Sequence, residues 1–326
     1  DTVRSDAPEI LAFFREQGVD LKVISGDNAA TVAAVARRAG IDGADAFVDA
    51  RSLPEDQEAL ADVLEETTVF GRVTPHQKRS MVHALQSRGR TVAMTGDGVN
   101  DVLALKDADM GIAMGAGSSS TRAVAQLVLL DNKFATLPRV LAEGRRVINN
   151  IERVANLFIT KAAYAVLLTA LVGIAGSPFP FLPRQLTLIG TFSIGVPGFF
   201  LALAPNEALV RPGFLTRVLR FSIPAGAVAG AVTFGLYEIV RRMDDVSLTE
   251  ARTAATATLL FLGLVILLLI SRPWKPWKAG LAAAMATCYV LVMVWPFARD
   301  YFELDLPTGA AWLVVAAASA LGAVSY

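Results

Sequence analysis

The sequence predicts an α/β domain on a parallel sheet with helices on both faces, followed by an all-α transmembrane domain of six spans. Three observations predict it. Residues 1–153 carry 18 Lys and Arg against 22 Asp and Glu and residues 154–326 carry 12 against 8, so a charged half of net −4 precedes a charge-poor half of net +4. In the first half, short apolar runs alternate with amphipathic helical patterns, as in a sheet of parallel strands joined by crossover helices. The second half, in a chain that is 54% apolar overall, holds apolar runs near the roughly 20 residues needed to cross a bilayer.

In the first half, residues 6–17 place apolar side chains at 10, 11, 13 and 14, with Pro8 near the start and Gly18 just past the end, which predicts a helix. A strand is expected over 19–24, a helix over 29–39 closed by Gly40, a strand over 46–48 and a polar helix over 54–66. Val69 and Phe70 form the next strand, and Thr74-Pro75 opens a helix ending near Gly89. Residues 90–94 form a strand that turns through TGDGVND into a further helix. Strands around 110–113 and 127–130 complete the domain, at residues 1–135.

No proline interrupts 139–171, so one helix of about 30 residues, polar and then apolar, is expected to form a stalk (136–156) and enter the membrane. Five more spans, near 183–203, 219–240, 254–271, 279–297 and 308–325, complete a membrane domain at 157–326. With residues 1–153 cytoplasmic, the loops holding Arg211, Arg217, Arg220, Arg272, Lys275 and Lys278 also face the cytoplasm, as the positive-inside rule asks. Trp274, Trp277 and Trp295 fall at span ends, where indoles anchor at the interface.

Zero net charge and no basic stripe give no sign of a nucleic-acid partner. The one cysteine, Cys288, leaves no intrachain disulfide. The first residues lack an initiator Met and any signal-peptide pattern, and read as a cut made within a longer protein.

The chemistry centres on residues 91–115, TVAMTGDGVNDVLALKDADMGIAMG. Asp97, Asn100 and Asp101 follow a strand's carboxyl end, where open parallel sheets bind ligands. Two carboxylates there suit magnesium, which binds through one or two carboxylates together with phosphate oxygens. A plain capped turn is the competing reading. Ser25, Gly26 and Asp27 end another strand with a hydroxyl and backbone amides at a helix start, a phosphate cradle or an ordinary N-cap. Lys78, one turn into its helix, is either a phosphate-reaching ammonium or a solvated lysine.

This ordered set closely resembles the phosphorylation domain of the P-type ATPases, cation pumps of the haloacid dehalogenase superfamily with a Rossmann-like fold. The matching residues are Asp1 and Arg4 (D-x-x-R), Ser25-Gly26-Asp27, Lys78 and the TGDGVND stretch, continuing through Gly144-Arg145 and Asn149-Asn150 into the spans. The resemblance implies that Asp97 ligates Mg2+, with Asp101 and Asn100 supporting metal and phosphate. It implies that Lys78 offsets phosphate charge, that Ser25 and Gly26 hold phosphate oxygens, that Asp27 organises the site, and that Asp1 and Arg4 flank the hinge to an ATP-binding domain. Ser25 stands where the family usually has Thr.

The family's phosphoryl acceptor is an Asp in D-K-T-G-T, and no such stretch occurs in these 326 residues. The chain is therefore expected to be the carboxyl-terminal part of a plasma-membrane pump, inactive alone, whose partners are an amino-terminal part (actuator and nucleotide-binding domains, four spans), the lipid bilayer and the transported cation. By resemblance the ion site involves Lys161, Tyr164, Thr191, Ser193, Gly195 and Pro197. Carboxylates common in calcium and sodium pumps are missing there, while the glycines and Pro197 are expected to break the helix and free carbonyls for a cation. Lys161, about 12 Å along the helix from Arg153, either snorkels to the interface or faces the bundle as a counterion or gate. Calcium is the expected ion. Magnesium, a monovalent cation, a proton, or a noncatalytic membrane module are the alternatives.

Overall fold

The computed structural model describes residues 3–272, 275–307 and 309–326, and the chain divides into two compact units after Leu141. In the first unit, α1 (Ala7–Glu16), β1 (Val23–Ile24), α2 (Ala29–Arg38), β2 (Phe47–Asp49), α3 (Gln57–Glu66), β3 (Val69–Gly71) and α4 (Pro75–Ser87) come first. They are followed by β4 (Ala93–Gly96), α5 (Val102–Asp107), β5 (Met110–Met114), α6 (Ser119–Val124) and β6 (Leu127–Leu129). Every strand pairing is parallel, with Val23 opposite Val69 and Ala93 opposite Met110.

The expected single sheet is two three-stranded sheets, ordered β1-β3-β2 and β4-β5-β6. No described strand supplies the ladder bonds that would join the edges β1 and β4. Two strands are also shorter or later than expected. Lys22 sends its ammonium to the Thr67 carbonyl at 2.9 Å, and β1 is confined to the two residues beyond it. Asp109 takes the Val92 amide at 2.8 Å, which removes a ladder donor and moves the start of β4 to Ala93. Helix α3 begins at Gln57 rather than 54, because Asp56 caps it by accepting the Glu58 and Ala59 amides. Helix α6 was not expected; the cue is the 117–121 run GSSST, in which Ser118 accepts the Thr121 amide at 3.0 Å.

Helix α4 touches both apolar layers. Its Met81 is buried with Leu64 and Phe70 beside the first sheet, while its Val82 is buried with Met94 and Leu105 beside the second. Thr74 and Gln77 form a reciprocal capping box that fixes where α4 starts, and hence where Lys78 lies in its first turn.

In the second unit the helix expected to run about 30 residues is α7 (Leu137–Ala175), 39 residues long. It is followed by α8 (Pro183–Gly190), a π-helical turn at Thr191–Gly195, α9 (Val196–Leu203), α10 (Phe214–Arg241), α11 (Leu248–Ile270), α12 (Pro276–Val294), α13 (Pro296–Tyr301) and α14 (Gly309–Val324). Among the described residues, five helical stretches are long and apolar enough to cross a membrane. The sixth expected span forms a helix of 16 residues, about 24 Å long against a hydrocarbon layer of about 30 Å. Helix α11 is central, with 67% of its apolar window buried against 22% for that of α7.

The helices alternate in direction, and their loops gather at two ends. At one end Asn150 donates to the Ala204 carbonyl at 2.7 Å, Glu152 pairs with Arg217 at 2.7 Å, Arg153 donates to the Arg272 carbonyl at 3.2 Å and Lys278 to that of Ser271 at 2.6 Å. At the other end the Tyr237 hydroxyl donates to the Pro178 carbonyl at 2.9 Å, Arg252 to that of Phe179 at 3.2 Å, and Arg184 pairs with Glu303 at 2.9 Å. Trp277 and Trp295 lie exposed at the two ends of α12. Trp274 lies outside the described residues.

Candidate active site and membrane cavity

The tightest contact in the predicted site joins two residues 23 apart in sequence. Lys78 Nζ donates to Asp101 Oδ1 at 2.6 Å, with both side chains only 11% exposed. Asp101 Oδ2 accepts the Gly98 amide at 3.3 Å. The turn closes this tightly only because Gly96 has no side chain: a Cβ there would sit 2.6 Å from the Asp101 Cβ and 2.7 Å from its carboxylate. Both Asp101 oxygens are therefore engaged within the protein, which suits it to orienting Lys78.

Asp97 and Asn100 are exposed. The Asp97 carbonyl accepts the Ser118 amide at 3.0 Å, and the Gly98 carbonyl accepts the Thr121 hydroxyl at 2.9 Å. Gly117 permits this brace, since a Cβ there would lie 2.9 Å from the Asp97 carbonyl oxygen. Ser118 and Thr121 are thus supports that the sequence reading missed. Among the described residues, no group of three or more His, Cys, Asp or Glu side chains converges on a metal position. An exposed Asp97 still fits magnesium, which takes few protein ligands and completes its shell with phosphate oxygens and water.

Ser25, Gly26 and Asp27 follow β1, in the other sheet. The Asp27 amide donates to Ser25 Oγ at 3.2 Å, and among the described residues the Gly26 amide has no protein partner. The cap of α2 is Asn28, whose side chain accepts the Ala30 amide at 3.0 Å, so the Ser25 hydroxyl does not cap that helix and instead donates to the Asp27 carboxylate at 3.4 Å. Arg72 was missed as well. It adopts φ 55°, donates its amide to the Asp27 carbonyl at 2.7 Å and its guanidinium to Asp49 at 2.9 Å. Nothing in its residue type marks a left-handed conformation. Arg4 is exposed and donates to the Asn132 carbonyl at 3.1 Å, while Asp1 lies outside the described residues.

In the second unit, Thr160, Tyr164, Ser193 and Gly263 help line a cavity of about 20 Å³, enough for about one water-sized occupant. Thr160 Oγ1 is buried without a hydrogen-bond partner, and Ser193 donates to the Ile189 carbonyl at 2.7 Å. Gly263 lets α11 approach, since a Cβ there would stand 2.8 Å from that of Ser193. The helix break expected around Gly195 and Pro197 is a π-helical turn that runs directly into α9. One wide turn accommodates the proline without ending the helix. Pro197 is buried outside the cavity lining, and Thr191 and Gly195 are exposed. Lys161 reaches across to α8, its Nζ 3.3 Å from where a Gly190 Cβ would be.

Models of haloacid dehalogenase-like hydrolases match residues 1–109 and 78–141. The calcium-transporting ATPase CtpE of Mycolicibacterium smegmatis is 54% identical over 93% of this chain and 40% of its own length. CtpE of Mycobacterium bovis is 51% identical over 99% of the chain and 42% of its own length. The calcium-transporting ATPase of Bacillus subtilis is 31% identical over 81% of the chain and 31% of its own length. The chain spans about two fifths of the length of the two CtpE proteins. Its haloacid dehalogenase-like unit, its run of apolar membrane helices and these similarities along nearly its whole length make the chain a multi-pass membrane protein that belongs to the P-type ATPase family.

Proposed function

We propose that residues 1–141 carry out phosphoryl transfer, and residues 142–326 ion passage, in an ATP-driven calcium pump of the plasma membrane with residues 1–153 on the cytoplasmic side. The observation that carries this reading is the Lys78–Asp101 pair at 2.6 Å, with an exposed Asp97 in the turn that leads to Asp101. Lys78, held by Asp101, presents a point charge to phosphate oxygens. Asp97 would hold magnesium, which when bound supplies charge stabilisation to a transferring phosphoryl group. The Ser25 hydroxyl and the Gly26 amide are donors for phosphate oxygens. An aspartyl nucleophile splits such a hydrolysis into two steps. We assign that nucleophile, with the ATP-binding and actuator domains and four further spans, to the rest of a longer pump.

Calcium as the cargo rests on the names of the relatives. Thr160, Tyr164 and Ser193 border the cavity, and hydroxyl oxygens are of the hard-ligand type calcium takes. The test is phosphoenzyme formation from ATP by the complete pump across calcium, magnesium, sodium, potassium and pH. Calcium alone should stimulate it at micromolar levels. Phosphorylation indifferent to every cation would sink the transport reading, and stimulation by another ion would reassign the cargo.

A further inference from the structure

Lys78 needs a fixed position, yet the element that carries its partner is short. Helix α5 has six residues, and Asp101 stands just before it. The far end of α5 is fastened to the same helix that bears Lys78. Asp107 Oδ2 accepts from both Arg79 Nε and, at 2.8 Å, His83 Nε2, and its side chain is 18% exposed. Gln86 donates to the Asp107 carbonyl at 2.9 Å and to the Asp109 carboxylate at 3.2 Å. Residues 79, 83 and 86 share one face of α4, so three positions about one turn apart on that helix hold the end of α5 and the start of β5.

We propose that Asp107 is a positioning residue for phosphoryl transfer: clamped by Arg79 and His83, it sets the register of α5 on α4 and so holds Asp101 against Lys78. This rests on the function proposed above. The helices meet at two points, the Lys78–Asp101 pair at one end and the Asp107 clamp at the other, with Val82 and Leu105 buried between them. Losing the clamp leaves the far end of α5 held only by the two Gln86 bonds and the apolar contact, and the slack falls on Asp101. Arg88, just past the end of α4, pairs instead with Asp62 of α3 and takes no part.

The first measurement uses the chain in detergent without nucleotide or metal. Asp107→Asn should raise hydrogen exchange in α5 and speed amine labelling of Lys78, read by mass spectrometry, at least about threefold. Asp107→Glu should restore much of the protection, and Arg88→Gln should leave Lys78 labelling unchanged. Should Asp107→Asn fail to fold, His83→Gln removes one donor only and should shift labelling in the same direction by less. The second measurement uses the complete pump, where Asp107→Asn should raise the magnesium concentration needed for half-maximal phosphorylation about tenfold, as lost supports of metal sites do, with KM for ATP unchanged. Unchanged Lys78 labelling in both variants overturns the proposal, as does an unchanged magnesium requirement in an active pump. A wild-type pump that forms no phosphoenzyme would instead overturn the functional reading, and the labelling result would stand by itself.

Discussion

Gly96 and Asp101 illustrate how little space the turn after β4 allows. A methyl at position 96 would stand 2.6 Å from the Asp101 Cβ, so Gly96→Ala should displace the carboxylate from Lys78. We expect a stability loss of about 1–3 kcal/mol by denaturant titration of the chain, and a larger loss of phosphorylation in the complete pump. The carboxylates of the same unit also set its acid sensitivity. The His83 hydrogen bond, and then that of Arg79, hold the Asp107 carboxyl below its ordinary range. The Arg51 side chain does the same for Asp49, with a further bond from Arg72, and the Val92 amide does so for Asp109. Because these values are depressed in the folded state, their contribution is complete above the unfolded value of about 3.9 and disappears as pH falls through the folded ones. Unfolding followed by circular dichroism should show little pH dependence from these groups between neutrality and pH 5, then a loss below about 4 that is smaller in Asp107→Asn.

At the scale of elements, the helices of the second unit depend on small residues where they cross. A Cβ on Gly226 would lie 2.5 Å from that of Ala163 and 2.7 Å from the Thr160 carbonyl. Gly226→Val should therefore push α10 off α7, at a cost above the about 1–3 kcal/mol typical of overpacking, measured as a lower thermal midpoint. The π-helical turn calls for a different experiment. Deleting Ile194 should regularise Thr191–Gly195 into α-helix, rotating Ser193 away from the cavity. We expect unchanged helix content by circular dichroism and a complete pump whose phosphorylation has lost its cation dependence. Retained dependence would mean that the wide turn does not set the cation site.

Over the whole molecule, the two ends at which the loops gather, together with the Lys and Arg bias of those loops, make the proposed orientation testable. Cysteines placed at 178–180 or 244–246 in a variant lacking Cys288 should react with an impermeant reagent from outside intact cells, and those at 209–211 only after permeabilisation. Much of this organisation was legible in the sequence because it is periodic. Alternating strands and helices, the apolar runs and the Lys and Arg bias along the loops are all local signals. The boundaries of β1 and β4 were not, because Lys22 and Asp109 act there through side-chain bonds to groups distant in sequence. Two sheets in place of one could not be read either, since pairing between strands is set by the fold. In the site, residue types named Lys78 and Asp101 separately, and only the packing of α4 against both apolar layers makes them partners. Likewise no local pattern connects Gly263 with Ser193, or Lys161 with Gly190.

Among the described residues, no carboxylate or imidazole lines the cavity bordered by Thr160, Tyr164 and Ser193. With no carboxylate or imidazole at that point, a settling cation would displace no proton from such a group, and none would travel back in exchange. Each cycle would then move the ion's whole charge through the membrane field. For a divalent ion this is about 4.6 kcal/mol of electrical work per 100 mV. The complete pump in vesicles should accordingly drive a current, speed up when the opposing voltage is clamped to zero, and carry no proton flux in return.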